Sequence, residues 1–409
     1  MGRRPPRRVL YLTGFFPPDV IAKRAAGVAA VLAAEGHRVT VITRWPAHLA
    51  GRAYTAEELA EADRDLPAGV TVHRIVGVER RSAGTWRRIL SQVSFAFRAA
   101  VRATRLAFRH DLVMAYTPPP FTGVAAWAAA RASGRPLILE VQDLYPAQAL
   151  ALGVVRAGLV TKVAARVERL LYRGAACLVV VNDGYREHAI AAGADPDRIR
   201  VIPNSCDVQA FRPDVEPLPA AWKRARFTAL FAGTVGLAQG SEVILDAAEA
   251  LLDSPDVGFE VWGGGARYGD LQRGAAARGL ANVRFGPPVA HRDMPRVLSR
   301  GDALLLTLHP HEIFGRVVPS KLSECLAMGR PVAAAARGQV AALLAEAGAG
   351  VAVEPLDGVG LAGALRRLAA DPAGREEMGR RARALAVERF SHDHVNAAFA
   401  AAVAEVGLD

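Results

Sequence analysis

The sequence predicts an α/β protein with two doubly wound, Rossmann-like domains that face each other across a cleft. Short apolar runs alternate with helical patterns along the whole chain, as in βαβ units. The length of 409 residues exceeds one ordinary hydrophobic core, so two domains of about 200 residues each are expected. A proline-containing linker at 204–218 separates two such series. Together these observations favour two parallel sheets, each covered by helices on both faces.

The first series of elements follows from apolar runs that are too short to form helices. They are rich in Val, Ile and Leu, so buried strands are predicted at 9–13, 38–43, 112–116, 137–141, 177–181 and 199–202. Between them, apolar residues recur at the three- and four-residue spacing of a helix. The helices are predicted at 22–35, 86–108, 121–132, 156–173 and 184–192.

The second series repeats this alternation after the linker. Its strands are predicted at 228–232, 258–262, 283–285, 303–306 and 332–335. Its helices are predicted at 241–252, 267–278, 292–299 and 319–328. Gly329 is expected to end the 319–328 helix, because glycine adopts the left-handed conformation of a helix C-terminus. The predicted domains are 1–208 and 209–385, and a helix at 386–409 crosses back to the first of them.

The distribution of charge restricts the class of partner. Residues 1–110 hold 19 Arg and Lys residues against 8 Asp and Glu, and so account for the whole net charge of +11. Such a segment can attract nucleic acid, anionic lipid or a phosphorylated acceptor, or be solvated without a partner. A motif with interleaved aromatic residues is missing, so no nucleic acid is expected.

Cysteine and apolar patterning indicate the compartment. No apolar stretch reaches 18 residues, so a membrane span is not expected. Residues 9–12 indicate a strand rather than a secretory signal. Cys177, Cys206 and Cys325 lie far apart without metal-ligand spacing, which is typical of reduced thiols in the cytoplasm.

The run Pro-Ser-Lys-Leu-Ser-Glu at 319–324 is the most informative motif. Proline suits a first helical turn, and Ser320 is expected to cap the helix or donate a hydrogen bond. Unpaired N–H groups at the helix start favour an anion, and Lys321 adds a positive charge. Glu324 lies three residues later on the same side. The motif therefore predicts a site for a diphosphate and a ribose, with an ordinary capped helix as the alternative.

Glycine-rich loops follow several predicted strands. The second series has three such loops, which contain Gly233 and Thr234, Gly264, and the Phe-Gly-Pro-Pro-Val run ending at Val289. In the first series, Gly14 follows the first strand. None has the G-x-x-x-x-G-K-[ST] pattern of a P-loop. A single glycine loop is as often only a tight turn as a ligand-binding loop. Three of them ahead of the 319–324 motif argue for a nucleotide site.

Asp143 is the candidate acid–base or orienting group of the first series. It follows a predicted strand in the run Glu-Val-Gln-Asp-Leu-Tyr-Pro at 140–146, where its carboxylate could orient a hydroxyl. The alternative is that it caps the following turn. His309 and His311 lack further ligands at metal spacing, so they are interpreted as polar loop residues and no metal site is predicted.

These motifs together resemble the family 4 retaining glycosyltransferases of GT-B fold. The resemblance covers essentially the whole chain. Within the family, the chain is similar to the bacterial branch that transfers N-acetylated or deoxy sugars during surface-polysaccharide assembly. It rests on the runs at 15–19, 35–43, 140–146, 202–207, 232–240 and 319–324. The resemblance implies that the second domain binds a nucleoside-diphosphate sugar, usually uridine-linked, and that Glu324 holds the ribose hydroxyls. It also implies that the first domain binds the acceptor.

The chain departs from the family pattern in several places. The Arg and Lys that clamp the diphosphate in many members correspond to Thr234 and Gln239 here. Lys321, with Arg316, is then expected to compensate the phosphate charge, so that no metal or other cofactor is required. The first glutamate of the Glu-x7-Glu pattern falls on Arg316, and Glu312 resembles it at a longer spacing. Gln142 replaces a frequent histidine beside Asp143.

The resemblance leaves the acceptor open. A lipid-linked saccharide at the cytoplasmic membrane face is one possibility, with the basic helix at 86–108 lying on an anionic bilayer or simply packing on the first sheet. A soluble small-molecule acceptor is another. The departures at Thr234, Gln239 and Arg316 motivate a third, an inactive binding or scaffold homologue. A nucleotide-sugar epimerase would need an acid–base set that the sequence does not offer.

Overall fold

The computed structural model describes residues 6–19, 22–46, 54–76, 85–118 and 120–406. Its contacts divide the chain into two compact domains. The first domain is the chain up to Ile202 together with the segment from Asn396, and the second domain is Pro203–Val395. The sequence prediction put these divisions at 208 and 385.

The first domain contains one parallel sheet. Its strands are β1 (Arg8–Leu12), β2 (Arg38–Arg44), β3 (Val70–Ile75), β4 (Leu112–Thr117), β5 (Leu137–Val141), β6 (Cys177–Val180) and β7 (Ile199–Val201). Their order is β3-β2-β1-β4-β5-β6-β7. Six of these strands coincide with predicted apolar runs. The sequence missed β3 because this edge strand is mostly half-buried and has no continuous apolar run.

Helices surround this sheet. They are α1 (Lys23–Ala34), α2 (Ala56–Arg64), α3 (Thr85–Ala107), α4 (Pro120–Ser133), α5 (Ala147–Ala151), α6 (Leu159–Gly174) and α7 (Asp183–Ala191). The sequence missed α2 although Thr55 and Glu58 form a capping box at its start. In α3, Phe95 and Ala99 are buried while Phe97 is exposed, as expected for an amphipathic helix.

The second domain contains another parallel sheet. Its strands are β8 (Phe227–Thr234), β9 (Val257–Gly264), β10 (Val283–Gly286), β11 (Ala303–Thr307), β12 (Val332–Ala335) and β13 (Gly350–Val353), in the order β10-β9-β8-β11-β12-β13. Its helices are α8 (Val243–Glu249), α9 (Tyr268–Ala277), α10 (Met294–Leu298), α11 (Ser320–Ala327), α12 (Gln339–Ala347), α13 (Gly358–Ala370) and α14 (Pro372–Phe390). The strand order reverses direction between β8 and β11, where doubly wound sheets bind ligands.

Packing of α14 explains the later domain boundary. Gly329, with φ of 62°, ends α11 as predicted. The Arg383 guanidinium of α14 then donates to the carbonyls of Val208, Phe211 and Ala327 at 2.6–2.8 Å. Because these bonds attach α14 to α11, residues just beyond 385 remain part of the second domain.

The last helix, α15 (His392–Glu405), connects the far end of the sequence to the first domain. Phe399 is buried beneath the Arg24 guanidinium, 5.3 Å from the ring centroid. Arg7 donates to the carbonyl of Val403 at 3.2 Å, and Arg200 pairs with Glu405 at 2.8 Å. The return of a C-terminal helix to the first domain was predicted from the family resemblance, with an earlier start.

A buried ion pair stabilises the second domain beside its first strand. The Arg300 guanidinium donates to both oxygens of Glu260 at 2.6 and 2.7 Å, and both side chains are almost fully buried. The indoles of Trp222 and Trp262 donate to the same carboxylate at 3.0 and 2.8 Å. Arg300 also donates to the carbonyl of Leu218 at 2.8 Å, so this network attaches the linker to the sheet.

Within the described residues, no helix is long and apolar enough to cross a bilayer.

Candidate functional site

The candidate site of the second domain lies at the carboxyl ends of β8, β9 and β11. The two glycine segments predicted from the sequence run side by side, because Gly233 and Thr234 pair with Gly263 and Gly264 in the sheet. A Cβ atom on Gly263 would lie 2.1 Å from the Gly233 carbonyl oxygen, so no larger residue fits there. The close backbone approach keeps this edge of the sheet open for a ligand.

Lys321 points into this edge from the first turn of α11. Its Nζ lies 3.9 Å from the centroid of the Phe231 ring on β8. Its Cδ lies 4.0 Å from the place where a Gly233 Cβ would be. The structure therefore brings together Lys321 and Gly233, which the sequence predicted separately.

The environment of the Lys321 ammonium is unusual. The residue is half-buried, but its Nζ atom is inaccessible to solvent and has no hydrogen-bond partner among the described residues. Burial lowers the pKa of the Lys321 ammonium to about 8, partly offset by Cys325 and Glu324. A buried cation is costly without a partner, so an anion that supplies one would be bound favourably here.

Glu324 lies one turn further along α11 and has a partner that the sequence did not reveal. Its Oε1 is 2.8 Å from Nε2 of His291, a residue just before α10. The His291 ring packs at 5.4 Å from the Phe211 ring. His291 and Glu324 are 33 positions apart and no motif links them, so only the fold could show that His291 contacts this carboxylate.

Ser320 does not cap α11, which rules out the first of the two roles predicted for it. The N-cap position is Pro319, with extended backbone and no side-chain cap hydrogen bond, and Ser320 is the exposed first residue of the helix. The Ser320 carbonyl accepts a hydrogen bond from the Ser323 hydroxyl at 2.7 Å. The Leu322 N–H donates to the Pro319 carbonyl at 2.9 Å, but a proline side chain cannot accept hydrogen bonds, so the N–H groups of Ser320 and Lys321 have no side-chain cap.

Glu312 and Arg316 lie on one short 3-10 turn, Glu312–Arg316, between β11 and α11. Glu312 is exposed, and Arg316 is half-buried. His311 Nδ1 accepts a hydrogen bond from the Ile313 N–H at 3.2 Å, which agrees with a polar loop role. The roles predicted for Glu312 and Arg316 remain predictions.

The residues that replace the diphosphate clamp have other surroundings. The Gln239 side-chain oxygen accepts a hydrogen bond from the Gly236 N–H at 3.0 Å, so it orders the loop after β8. Thr234 is exposed at the end of β8, and Val289 is half-buried beyond β10. No group of three or more His, Cys, Asp or Glu side chains that could hold a metal ion occurs among the described residues.

The candidate site of the first domain lies at the carboxyl ends of β1 and β5. Gly14 is buried directly after β1, where the Thr13 hydroxyl donates to the Phe15 carbonyl at 2.9 Å. Asp143 follows β5 and makes no side-chain hydrogen bond within the described ranges. Nearby, Gln142 donates at 2.8 Å to the buried carboxylate of Glu140, which also pairs with Arg24 at 2.7 Å.

Asp143 has an environment suited to a functional carboxyl group. Desolvation by the surrounding protein raises the pKa of the Asp143 carboxyl to about 6, although the residue retains solvent access. Its carboxylate in turn contributes to raising the pKa of the Tyr116 and Tyr185 hydroxyls, after burial.

Comparisons with known proteins agree with this arrangement of two domains. A family model described as "Glycosyl transferase 4-like domain" matches residues 21–205, and one described as "Glycosyl transferase-like" matches residues 240–401. Together these matches span most of both domains. The chain belongs to glycosyltransferase family 4.

Relatives of this glycosyltransferase have similar lengths. WcaI of Escherichia coli, named as a colanic acid biosynthesis glycosyl transferase, is 27% identical over 76% of this chain and 78% of its own length. A D-inositol 3-phosphate glycosyltransferase of Thermomonospora curvata is 28% identical over 86% of this chain and 82% of its own. The structure of Anabaena HepE in complex with UDP superposes with a TM-score of 0.73 at 17% identity, covering 98% of this chain and 100% of that one. The fold is GT-B.

Proposed function

We propose that this enzyme is a retaining glycosyltransferase that moves a sugar, N-acetylhexosamine-like, from a UDP-linked donor to a hydroxyl of a lipid-linked saccharide. The observation that carries this proposal is the buried Lys321 ammonium beside the glycine edge of β8 and β9, which contacts the Phe231 ring but has no hydrogen-bond partner in the part of the chain that the structure describes. The UDP in the HepE complex supports the donor, and the name of WcaI supports polysaccharide assembly. The reaction then takes place in the cytoplasm, at the inner face of the membrane.

The donor diphosphate would lie between the start of α11 and the glycine edge. Lys321 Nζ supplies the charge, with Arg316 from the preceding turn as a second cation. The N–H groups of Ser320 and of the loop at Gly233, Thr234 and Gly264 supply hydrogen bonds. Val289 would contact the base. These groups stabilise the charge that develops on the leaving diphosphate when the glycosidic bond breaks.

The ribose would be held by Glu324. A carboxylate can accept hydrogen bonds from two adjacent hydroxyls, and the contact of Oε1 with His291 fixes its orientation. Glu312 would contact the transferred sugar, in place of the first glutamate of the family pattern. None of these contacts requires a metal ion or another cofactor.

The acceptor would lie near Gly14 and Asp143 in the first domain. The acceptor oxygen forms a bond to the anomeric carbon as the bond to the diphosphate oxygen breaks, and the acceptor proton goes to the departing phosphate on the same face. Asp143 would orient the acceptor hydroxyl and need not be a strong base.

A panel of nucleotide sugars tests the proposal. We expect a UDP-sugar to raise the melting temperature and to release UDP slowly by hydrolysis, faster when acceptor is added, both with and without excess chelator. Loss of all turnover in chelator with rescue by manganese would overturn the metal-free mechanism. A shift in melting temperature without any hydrolysis would favour the inactive homologue, which the departures at Thr234, Gln239 and Arg316 motivate. Turnover with a water-soluble acceptor alone would favour the small-molecule alternative.

Replacing His291 by alanine should weaken donor binding through Glu324. Losing one hydrogen bond to a charged group predicts an increase of about tenfold in KM for the donor, with a smaller change in kcat. Initial rates over a range of donor concentration would measure this, with the exposed His394→Ala as control. His291→Gln keeps a donor N–H and should restore part of the affinity. If both variants have normal KM, His291 does not position Glu324.

A further inference from the structure

The outer face of α6 in the first domain carries an exposed apolar stripe. Of the seventeen large apolar side chains exposed among the described residues, five lie within 154–170. Leu159 and Val160 are 74% and 73% exposed, and Val163 and Leu170 are each 47% exposed. Leu159, Val163 and Leu170 share one side of the helix, because they are separated by about one and two turns. A stripe of this kind on a protein surface indicates an interaction site.

Unpaired basic side chains flank this stripe. Lys162, Arg166, Arg169 and Arg173 lie on one exposed flank of α6, and Arg156 precedes the helix. None of the five has an ion pair or a side-chain hydrogen bond with any residue that the structure describes. The single acid of the helix, Glu168, is used internally, since it accepts from the Tyr172 hydroxyl at 3.0 Å and contacts His188 at 3.1 Å. The exposed face is therefore apolar and cationic.

A basic pocket adjoins the C-terminal end of this face. It has a volume of about 450 Å³ between α4 and α6, and its lining includes Trp127, Leu170 and the arginines 131, 135 and 173. These three guanidiniums also have no acidic partner among the described residues. The pocket contains no acidic side chain, so it suits the phosphate of an anionic headgroup.

We propose that the outer face of α6, with the adjoining arginine pocket, docks this enzyme on an anionic lipid bilayer. The apolar stripe enters the boundary between headgroups and acyl chains, while the flanking cations contact lipid phosphates. This inference rests on the proposed lipid-linked acceptor. It places the membrane contact on α6 instead of α3, whose Arg98 donates to the Val76 carbonyl and whose Arg102 contacts His73.

Charge argues against a second copy of the chain as the occupant. A symmetric dimer sets the same patch against itself. Two α6 faces would bring ten unpaired cations together without any free carboxylate from this helix, and such like-charge contacts are unfavourable. A bilayer containing phosphatidylglycerol supplies both the apolar interior and the negative charge.

Sedimentation of the full-length protein with vesicles tests the proposal. The protein should bind vesicles of equal parts phosphatidylglycerol and phosphatidylcholine, and bind much less to phosphatidylcholine alone. The triple variant Leu159→Ser/Val160→Ser/Val163→Ser should lower the partition coefficient by about tenfold or more. The matched control is Leu252→Ser/Val359→Ser/Val387→Ser, which removes comparably exposed apolar side chains from the second domain.

A charge variant tests the pocket separately. Arg131→Gln/Arg173→Gln should weaken vesicle binding by about thirtyfold, equivalent to about 2 kcal/mol. Arg226→Gln/Arg273→Gln removes the same charge from exposed sites in the second domain and should have little effect. Circular dichroism and melting temperature would show that each variant is folded.

Several results would overturn the proposal. The wild type could fail to bind anionic vesicles. The α6 variants and their controls could lose vesicle binding equally. Vesicle binding could also fall only in the α3 variant Phe97→Ser/Phe108→Ser. A dimer without lipid that the triple Ser variant dissociates would instead assign α6 to a second copy. Hydrolysis of the UDP-sugar without lipid should be unchanged in the α6 variants. A failure of vesicle binding with normal hydrolysis is thus distinct from a failure of the proposed donor chemistry.

Discussion

Replacement of Lys321 by methionine should lower kcat for sugar transfer by about 100- to 1,000-fold and leave the protein folded. This loss of rate is expected because Lys321 holds a fixed positive charge against the leaving diphosphate, in a site from which water is excluded. Rates of UDP release at saturating donor would measure it. Lys223→Met is the matched control, because Lys223 is exposed and precedes the amino end of β8, whereas the site lies at the carboxyl end of that strand. A rate near that of wild type would remove Lys321 from the catalytic machinery.

The same variant should be more stable than the wild type in the absence of ligand. Methionine fills a similar volume beside Phe231 without leaving a buried ammonium unpaired, so the melting temperature should rise while activity falls. A fall in both the melting temperature and the activity would indicate that Lys321 is a structural residue, because the variant would then lose activity through unfolding.

The lowered pKa of Lys321 also predicts the direction of two pH dependences. Burial lowers the pKa of this ammonium to about 8 in the folded protein, against 10.5 for the unfolded chain. Between these values the unfolded chain binds more protons, so the contribution of Lys321 to stability rises with pH. Diphosphate binding requires the charged form, so donor affinity should fall as pH rises above about 8. Titration calorimetry of UDP should show this fall in the wild type and not in Lys321→Met.

Replacement of Arg300 by methionine should lower the unfolding free energy of the second domain by about 3–5 kcal/mol. The change leaves the Glu260 carboxylate buried with only the two indole donors of Trp222 and Trp262. Urea unfolding followed by tryptophan fluorescence would measure the loss, since both indoles contact this carboxylate. Arg226→Met, which breaks an exposed pair with Asp256, should cost about 1 kcal/mol or less. Equal effects of the two changes would contradict a special role for the buried pair.

The stability from this pair should be lost in acid. Burial opposes ionisation of Glu260, but hydrogen bonds from Arg300, Trp262 and Trp222 outweigh it and lower the pKa of the carboxyl. A carboxyl with a lowered pKa stabilises the fold above its unfolded pKa, and this stabilisation disappears as pH falls through the folded value. The wild type should therefore lose stability below about pH 4.5, and Arg300→Met should lose less.

Buried strands were the part of the fold that the sequence predicted best. Central strands of a parallel sheet are buried on both faces, so their apolar runs are visible in sequence, as in β1 and β11. The edge strand β3 and the helix α2 lack that pattern. Their positions depend on contacts with neighbouring elements, and a capping box such as the one at Thr55 is a weaker signal than a continuous apolar run.

The candidate site was predictable where its chemistry is local in sequence. Lys321 and Glu324 share one helix, and the glycines follow strand ends, so motifs were sufficient to select them. The partnership of Glu324 with His291, the contact of Lys321 with Phe231 and the use of Gln239 within its own loop depend on chain segments brought together by folding. Ser320 was predicted either to cap α11 or to donate a hydrogen bond; the cap does not form, because Pro319 occupies the N-cap position, and the second role stays a prediction.

The helix α15 makes the first domain discontinuous in sequence, and this has a consequence for synthesis on the ribosome. Residues up to Ile202 emerge first, but the buried place of Phe399 and the partners of Arg7 and Arg200 are supplied only when α15 is translated. The second domain, by contrast, is one uninterrupted segment that ends at Val395, in the first turn of α15. The whole sequence of the second domain is therefore translated before that of the first, and nascent chains stopped ahead of α15 carry an unfinished first domain.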